Sequence, residues 1–159
     1  MSFRKSIKRN QADTHFSYCV RARADWHCQR CEKDYTDLNR QGLQCSHFIG
    51  RGNWAIRYDP KNAISLCAGC HGFVEQHPVA HLNLWREIHG GIYGTEKRDS
   101  ELNALLARST CKTRSQWAKA NHKAISKHYL AESKRIDEEL KNHAEGKEAD
   151  LELYRYVQR

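Results

Sequence analysis

Cys67-Ala68-Gly69-Cys70-His71 closes a stretch that opens with Cys28-Gln29-Arg30-Cys31. Each Cys-x-x-Cys places two thiolates on one tight knuckle, and four thiolates make the tetrahedral set of a structural zinc site. A redox role for Cys-x-x-Cys needs a βαβ context that the surrounding sequence lacks. The expectation is therefore Zn²⁺ bound by Cys28, Cys31, Cys67 and Cys70. His27 is an alternative ligand beside the first pair. Cys19 and Cys111 have no partner at ligand spacing and read as ordinary buried thiols. Cys45, between the pairs, is left open.

Composition agrees with a metal-held scaffold. Of the 159 residues 39% are hydrophobic and 29% charged, so the core is small, and small scaffolds commonly use a metal as a staple. Seven cysteines cannot all pair within one chain, and disulfides are uncommon in a reducing compartment. No apolar run approaches the roughly 20 residues of a membrane span, and Met1 to Asn10 has no apolar signal segment. These features predict a protein of the cytoplasm with no membrane partner. The net charge is +8, with 21 Lys or Arg against 11 Asp or Glu in residues 1–131 and 6 against 8 in residues 132–159. A basic body with a near-neutral tail suits a polyanion, because cations that neutralise phosphates release counterions.

Periodicity predicts a helix from Asn10 to Ala24, capped by Asn10, with Ala12, Phe16, Cys19 and Val20 inward and Arg21 and Arg23 outward. Arg4, Lys5, Lys8 and Arg9 precede it as a basic arm. Leu43 to Ile49 and Trp54 to Tyr58 read as extended runs around Gly50-Arg51-Gly52-Asn53, a β-hairpin or a wider β-loop. A short helix over Gly72 to Gln76 follows. The next opens at His77-Pro78, buries Val79, Leu82, Trp85 and His89, and ends at Gly90-Gly91. Ser100 to Arg108 predicts a brief helix with Leu102, Leu105 and Leu106 inward. Thr113 and Gln116 suggest a capping box for a longer one, striped by Ala118, Ile125, Tyr129, Ile136 and Leu140 and limited by Gly146.

Between the cysteine pairs stand Ser46-His47-Phe48-Ile49, Asp59-Pro60-Lys61-Asn62 and then Cys70-His71. The order His, Asn, His resembles HNH nucleases, whose ββα-metal motif is here wrapped around a structural zinc. A wider pattern adds Val20-Arg21-Ala22-Arg23, Trp26, Gln44-Cys45, Arg51, Leu66, Tyr93-Gly94 and Lys127-His128-Tyr129. Over roughly Asn10 to Leu140 the chain is similar to the phage NinG (Rap) recombination endonucleases. The order of zinc pairs and histidine also resembles the phage endonuclease VII junction resolvases. The resemblance implies an α+β fold with a zinc-stapled ββα-metal core (residues 26–90), preceded by a basic arm and helix (1–25) and followed by a helical extension (91–159).

It also implies metal-dependent hydrolysis of DNA that leaves a 5′ phosphate, with branched recombination intermediates (Holliday junctions or flaps) as substrate and the cytoplasm of a host cell as the setting if the chain is phage-encoded. A neutral imidazole with an ordinary pKa near 6.5 can activate water, which suits His47. A hard divalent cation, Mg²⁺ or Mn²⁺, stabilises the leaving 3′ oxygen, and His71 stands where it can hold one. Asn62 supports the β-loop, and Arg51 is a candidate clamp on the scissile phosphate. One departure is Ser46, where many HNH sites carry a metal-binding carboxylate or histidine. Glu75, four residues after His71, shares its helix face and could supply the carboxylate; as a lone glutamate it is otherwise a solvated helix residue. His77 and His81 are further candidates.

Two rivals stand beside this expectation: a catalytically weak, zinc-stapled DNA-binding module, and an HNH nicking or homing-type endonuclease. A zinc nucleobase deaminase needs His-x-Glu before Pro-Cys-x-x-Cys, and the chain has neither. The long stripe from Trp117 to Leu140 also suggests a homodimer, since exposed apolar stripes often mark association surfaces; the alternative is that it folds back onto the helix from Val79 to His89.

Overall fold

Asn10 starts the first helix by reciprocal capping. Its side chain accepts from Asp13 N (3.0 Å) while the Asp13 carboxylate accepts from Asn10 N (2.8 Å), which satisfies two otherwise orphaned backbone donors. The computed structural model describes residues 7–36, 40–90 and 95–156. Arg4 and Lys5 of the basic arm, Gly91 and Tyr93-Gly94 lie outside the described residues. In order, the elements are α1 (Gln11–Ala22), β1 (Leu43–His47), β2 (Ala63–Cys67), α2 (Ala68–Gln76), α3 (Pro78–Gly90), α4 (Thr95–Ser109), α5 (Lys112–Ala120) and α6 (His122–Ala144). The fold is α+β, with β1 and β2 forming a two-stranded antiparallel sheet in which His47 faces Ala63 and Leu43 faces Cys67.

The second strand is thus not Trp54 to Tyr58. That segment forms successive turns with Ala55 to Tyr58 all buried; local bonds such as Asp59 N to Ile56 O (3.0 Å) satisfy its backbone, so it lies flat on the core without a ladder partner. The second helix begins at Ala68, not Gly72, because Cys67 acts as its N-cap, Sγ accepting from Cys70 N at 3.5 Å.

The core runs between α1 and α6. Ala12, Phe16, Cys19 and Val20 of α1 are buried together with Ile125, Tyr129 and Ile136 of α6 and with Leu43, Ile64 and Leu66 of the sheet. The Phe16 and Tyr129 rings meet edge-on at 5.0 Å, and Tyr129 Oη donates to Tyr58 O (2.5 Å). Ala118, Ile125, Tyr129 and Ile136 of the expected stripe are buried within the chain, and Leu140 is partly buried against them. Thr113 and Gln116 do not open one long helix: Cys111 is the N-cap of α5, and the chain breaks at Asn121 before α6.

Three smaller expectations also change. Val79 is 72% exposed and Leu106 43%, whereas Leu84 and Trp85 are buried; Trp85 Nε1 donates to Lys61 O (2.6 Å) and turns α3 toward the loop below β1. Arg21 and Arg23 are half-buried and bonded, not free on an outer face. Arg23 donates to Pro60 O (3.0 Å) and Ala63 O (2.6 Å) and Arg21 to Ser17 O (3.0 Å), so both hold main-chain carbonyls. Cys111 is only partly buried, unlike Cys19.

Candidate functional site

The two knuckles meet at the end of the sheet. Sγ atoms of Cys28, Cys31, Cys67 and Cys70 all lie within 4.8 Å of one another, and none is in a disulfide. Tetrahedral ligands about 2.3 Å from a zinc ion stand roughly 3.8 Å apart, and Cys31 and Cys67 are already at 3.9 Å. The four could hold a structural metal such as zinc. Among the described residues this is the one group of three or more His, Cys, Asp or Glu side chains close enough to do so. The first knuckle is fastened to β2 by Gln29 N to Ser65 O (2.8 Å) and Ser65 N to Gln29 Oε1 (2.9 Å). At Cys28 burial opposes ionisation, but backbone N–H donors around the sulfur outweigh it and bring the thiol down to about 7.

Beside this corner is an open cleft of about 630 Å³, and His47, Arg51, His71 and Glu75 all line it. Arg9, Arg21 and Gln44 share its walls. His47 ends β1 and packs its ring against Phe16, with centroids 6.0 Å apart. Its Nε2 is 3.0 Å from Arg57 O. A carbonyl only accepts, so Nε2 carries the hydrogen and Nδ1 keeps its lone pair. Burial pushes the imidazole down to about 4, which keeps it neutral at pH 7.

Two residues absent from the sequence-based site fix that geometry. The Arg57 side chain is fully buried and donates through Nε and Nη2 to Asp13 at 2.8 and 2.6 Å. Its guanidinium also lies 4.2 Å from the Trp54 ring centroid. Burial alone raises a carboxyl, yet the Arg57 bonds hold Asp13 below its ordinary range. Asp13 belongs to the α1 capping box, so the first turn of α1 anchors the residue whose carbonyl orients His47.

His71 lies in the first turn of α2. Its Nδ1 is 2.6 Å from Gln44 Oε1 on β1, and its Nε2 is 3.4 Å from Glu75 Oε1. The amide oxygen accepts from Nδ1, which leaves the Nε2 lone pair beside the carboxylate. A partner on the second ring nitrogen is the usual device for orienting a metal-binding imidazole.

Asn62 is wholly buried and outside the cleft. Its Oδ1 accepts from Ile49 N (2.8 Å) and its Nδ2 donates to Ile49 O (2.9 Å) and Ile56 O (3.1 Å). One side chain thereby ties down both ends of the irregular loop after His47. Ser46 faces the interior, 0% exposed, because adjacent strand residues point to opposite sides. Arg51 donates one N–H to Ile7 O (2.9 Å). His77 bonds Phe73 O (2.8 Å) and stacks on its ring, and His81 is buried against Phe48; neither lines the cleft.

Only Glu75 could have been paired with His71 from its i, i+4 spacing. Gln44, Asp13 and Arg57 carry no such signal. Among the described residues no helix is long and apolar enough to cross a membrane. No family model matches the chain, and no curated protein or solved structure does either.

Proposed function

We propose that this chain is a metal-dependent DNA endonuclease of the HNH kind, a zinc-stapled ββα-metal enzyme acting on branched DNA such as junctions or flaps. The observation that carries the proposal is the joint presence of His47, His71 and Glu75 in one basic-walled cleft, on a strand, strand, helix order. A nucleophile-activating imidazole and a metal-holding pair on facing elements are the parts that metal-assisted phosphodiester hydrolysis uses.

His47 Nδ1 takes a proton from water, and the resulting hydroxide oxygen bonds to phosphorus. The bond from phosphorus to the 3′ oxygen breaks, and that oxygen picks up a proton from solvent, leaving a 3′ hydroxyl and a 5′ phosphate. His71 Nε2 and Glu75 are the residues that would hold a divalent cation such as Mg²⁺ or Mn²⁺, which when bound would supply positive charge at the leaving oxygen. An imidazole at about 4 is a weak base, so stabilisation of the leaving oxygen carries much of the barrier. Asn62 and the Asp13–Arg57 pair hold the loop and the ring; they touch no reacting atom. Arg51, Arg9 and Arg21 give the cleft a positive wall for the phosphate backbone.

A second reading, a zinc-stapled DNA-binding module, has one observation in its favour: Ser46 turns inward and Glu75 is 68% exposed, so the metal-holding pair is open to solvent. Cleavage of four-way junction, flap, single-stranded and linear duplex DNA, with Mg²⁺ and with Mn²⁺, separates the two. The expected result is cutting of a branched substrate that falls by on the order of 10²- to 10⁴-fold in His47→Ala, with DNA affinity retained. A parent protein that binds but cuts nothing favours the module, and a His47→Ala protein that cuts at the parent rate removes His47 as the base.

A further inference from the structure

We infer that a second cavity, walled by the later half of the loop that follows His47, seats one unpaired nucleotide of a DNA arm. The identity of the polymer rests on the function proposed above. The cavity is about 340 Å³, within the roughly 300–1,000 Å³ of small-ligand sites. Trp54 and Trp117 give it flat aromatic walls, and Tyr156 stacks on Trp117 at a centroid distance of 5.4 Å. Arg114 and Arg155 give it positive charge.

The one acidic residue in its lining, Asp59, is 3% exposed and already accepts from Arg108 Nε at 2.8 Å. Arg155 reaches the same carboxylate oxygen at 3.6 Å, and Arg114 Nε meets the Ala55 carbonyl at 3.4 Å. Arg108 and Arg155 share the Asp59 carboxylate while Arg114 is met by a carbonyl, which leaves an excess of positive charge at the cavity. Trp117 adds a second imbalance, since its Nε1 is buried without an acceptor, which is uncommon for a buried N–H.

Paired guanidinium groups match a phosphate, and an indole face matches a base that has left its stack. A simple anion has no use for the aromatic walls, and an apolar ligand none for the arginines. A base inside a duplex has both faces covered by its neighbours, so it lies on an indole most readily where its stack is broken, as on a single-stranded flap or at a branch point, and this seat would favour branched DNA over plain duplex.

The test uses the intact protein without Mg²⁺ or Mn²⁺ and a 5′-phosphorylated oligothymidylate of about eight residues. Arg114→Gln and Arg155→Gln should each weaken its binding roughly tenfold while leaving the melting temperature and affinity for blunt duplex near those of the parent. Independently of any variant, saturating oligonucleotide should move the indole N–H resonances of Trp54 and Trp117 and leave those of Trp26 and Trp85 in place. Unmoved Trp54 and Trp117 signals, or two arginine variants that bind like the parent, would overturn the assignment. Neither readout involves cutting. A protein that shows the indole shifts but cleaves nothing keeps the seat and loses the nuclease, and His47-dependent cleavage with still indoles does the reverse.

Discussion

Cys70 and His71 are neighbours in the first turn of α2, yet one belongs to the four-sulfur corner and the other to the cleft. The corner is complete in itself: two short knuckles bring four like donors together, and backbone bonds to β2 hold them. The cleft is assembled from distant pieces, with α1, β1, the 48–62 loop and α2 each lending a side chain and only His71 and Glu75 adjacent on one helix. The difference implies a dependence in one direction. Disturbing the corner should dissolve the cleft, because the corner sets where α2 starts, whereas emptying the cleft should leave the corner intact.

Cys67→Ser is the strongest way to break that asymmetry. Structural zinc contributes roughly 10–16 kcal/mol in small metal-folded domains, as large as the whole net stability of roughly 5–15 kcal/mol of a typical domain. The parent should carry one zinc per chain by elemental analysis, and the variant should lose both the zinc and its cooperative melting transition. His47→Ala should keep both. A zinc-free parent, or a Cys67→Ser protein that melts like the parent, would show that the corner does not organise the fold.

Next in size is the pair that links α1 to the cleft. Asp13→Asn leaves the Arg57 guanidinium buried without its counter-charge, and breaking a buried pair from one side costs about 3–5 kcal/mol. Urea unfolding should show a loss of that order. The double change Asp13→Leu with Arg57→Met should recover part of it, since no uncompensated charge remains, the rest being the lost cap on Asn10 N. Cleavage should fall less in Asp13→Asn than in His47→Ala, because it is the Arg57 carbonyl, not its side chain, that accepts from His47. A variant with parental stability would mean that the first turn of α1 does not anchor the loop.

What was legible in the sequence follows the same division. The knuckles could be read because ligand spacing is local, and α1 because its inward positions recur at helical intervals. His47, Asn62 and His71 stood out by their order between the knuckles. The second strand was misplaced for a physical reason: Ala63–Cys67 is buried on both faces at all but its last residue, so it shows no alternation, while Trp54 to Tyr58 has strand-like residues that in fact lie flat in turns. Asp13, Arg57 and Gln44 were invisible because their partners are 44 and 27 residues away, and a single charged or amide residue reads as solvated. The break at Asn121 escaped because the apolar stripe continues across it.

The smallest effect concerns His47 itself and sharpens the claim that the cleft depends on its surroundings. An imidazole with the ordinary pKa of 6.5 loses roughly 25-fold of its neutral form between pH 7 and pH 5; one held at about 4 by burial loses almost none. The ring resonances of His47, assigned by their disappearance in His47→Ala, should therefore stay flat down to pH 5 and titrate near 4. The sign for stability follows from the same shift. The unfolded chain takes up its proton near pH 6.5 and the folded one only near 4, so the unfolded state binds more protons in that window and stability falls as pH falls through it. Asp13, held below its ordinary range by Arg57, extends the loss below pH 3.8. Opening the pocket by Phe16→Ala should raise the His47 midpoint back toward 6.5, because water then reaches the charged form. A parental midpoint already between 6 and 6.5 would mean that burial against Phe16 does not outweigh the Arg57 carbonyl, whose bond to the ring favours the protonated form.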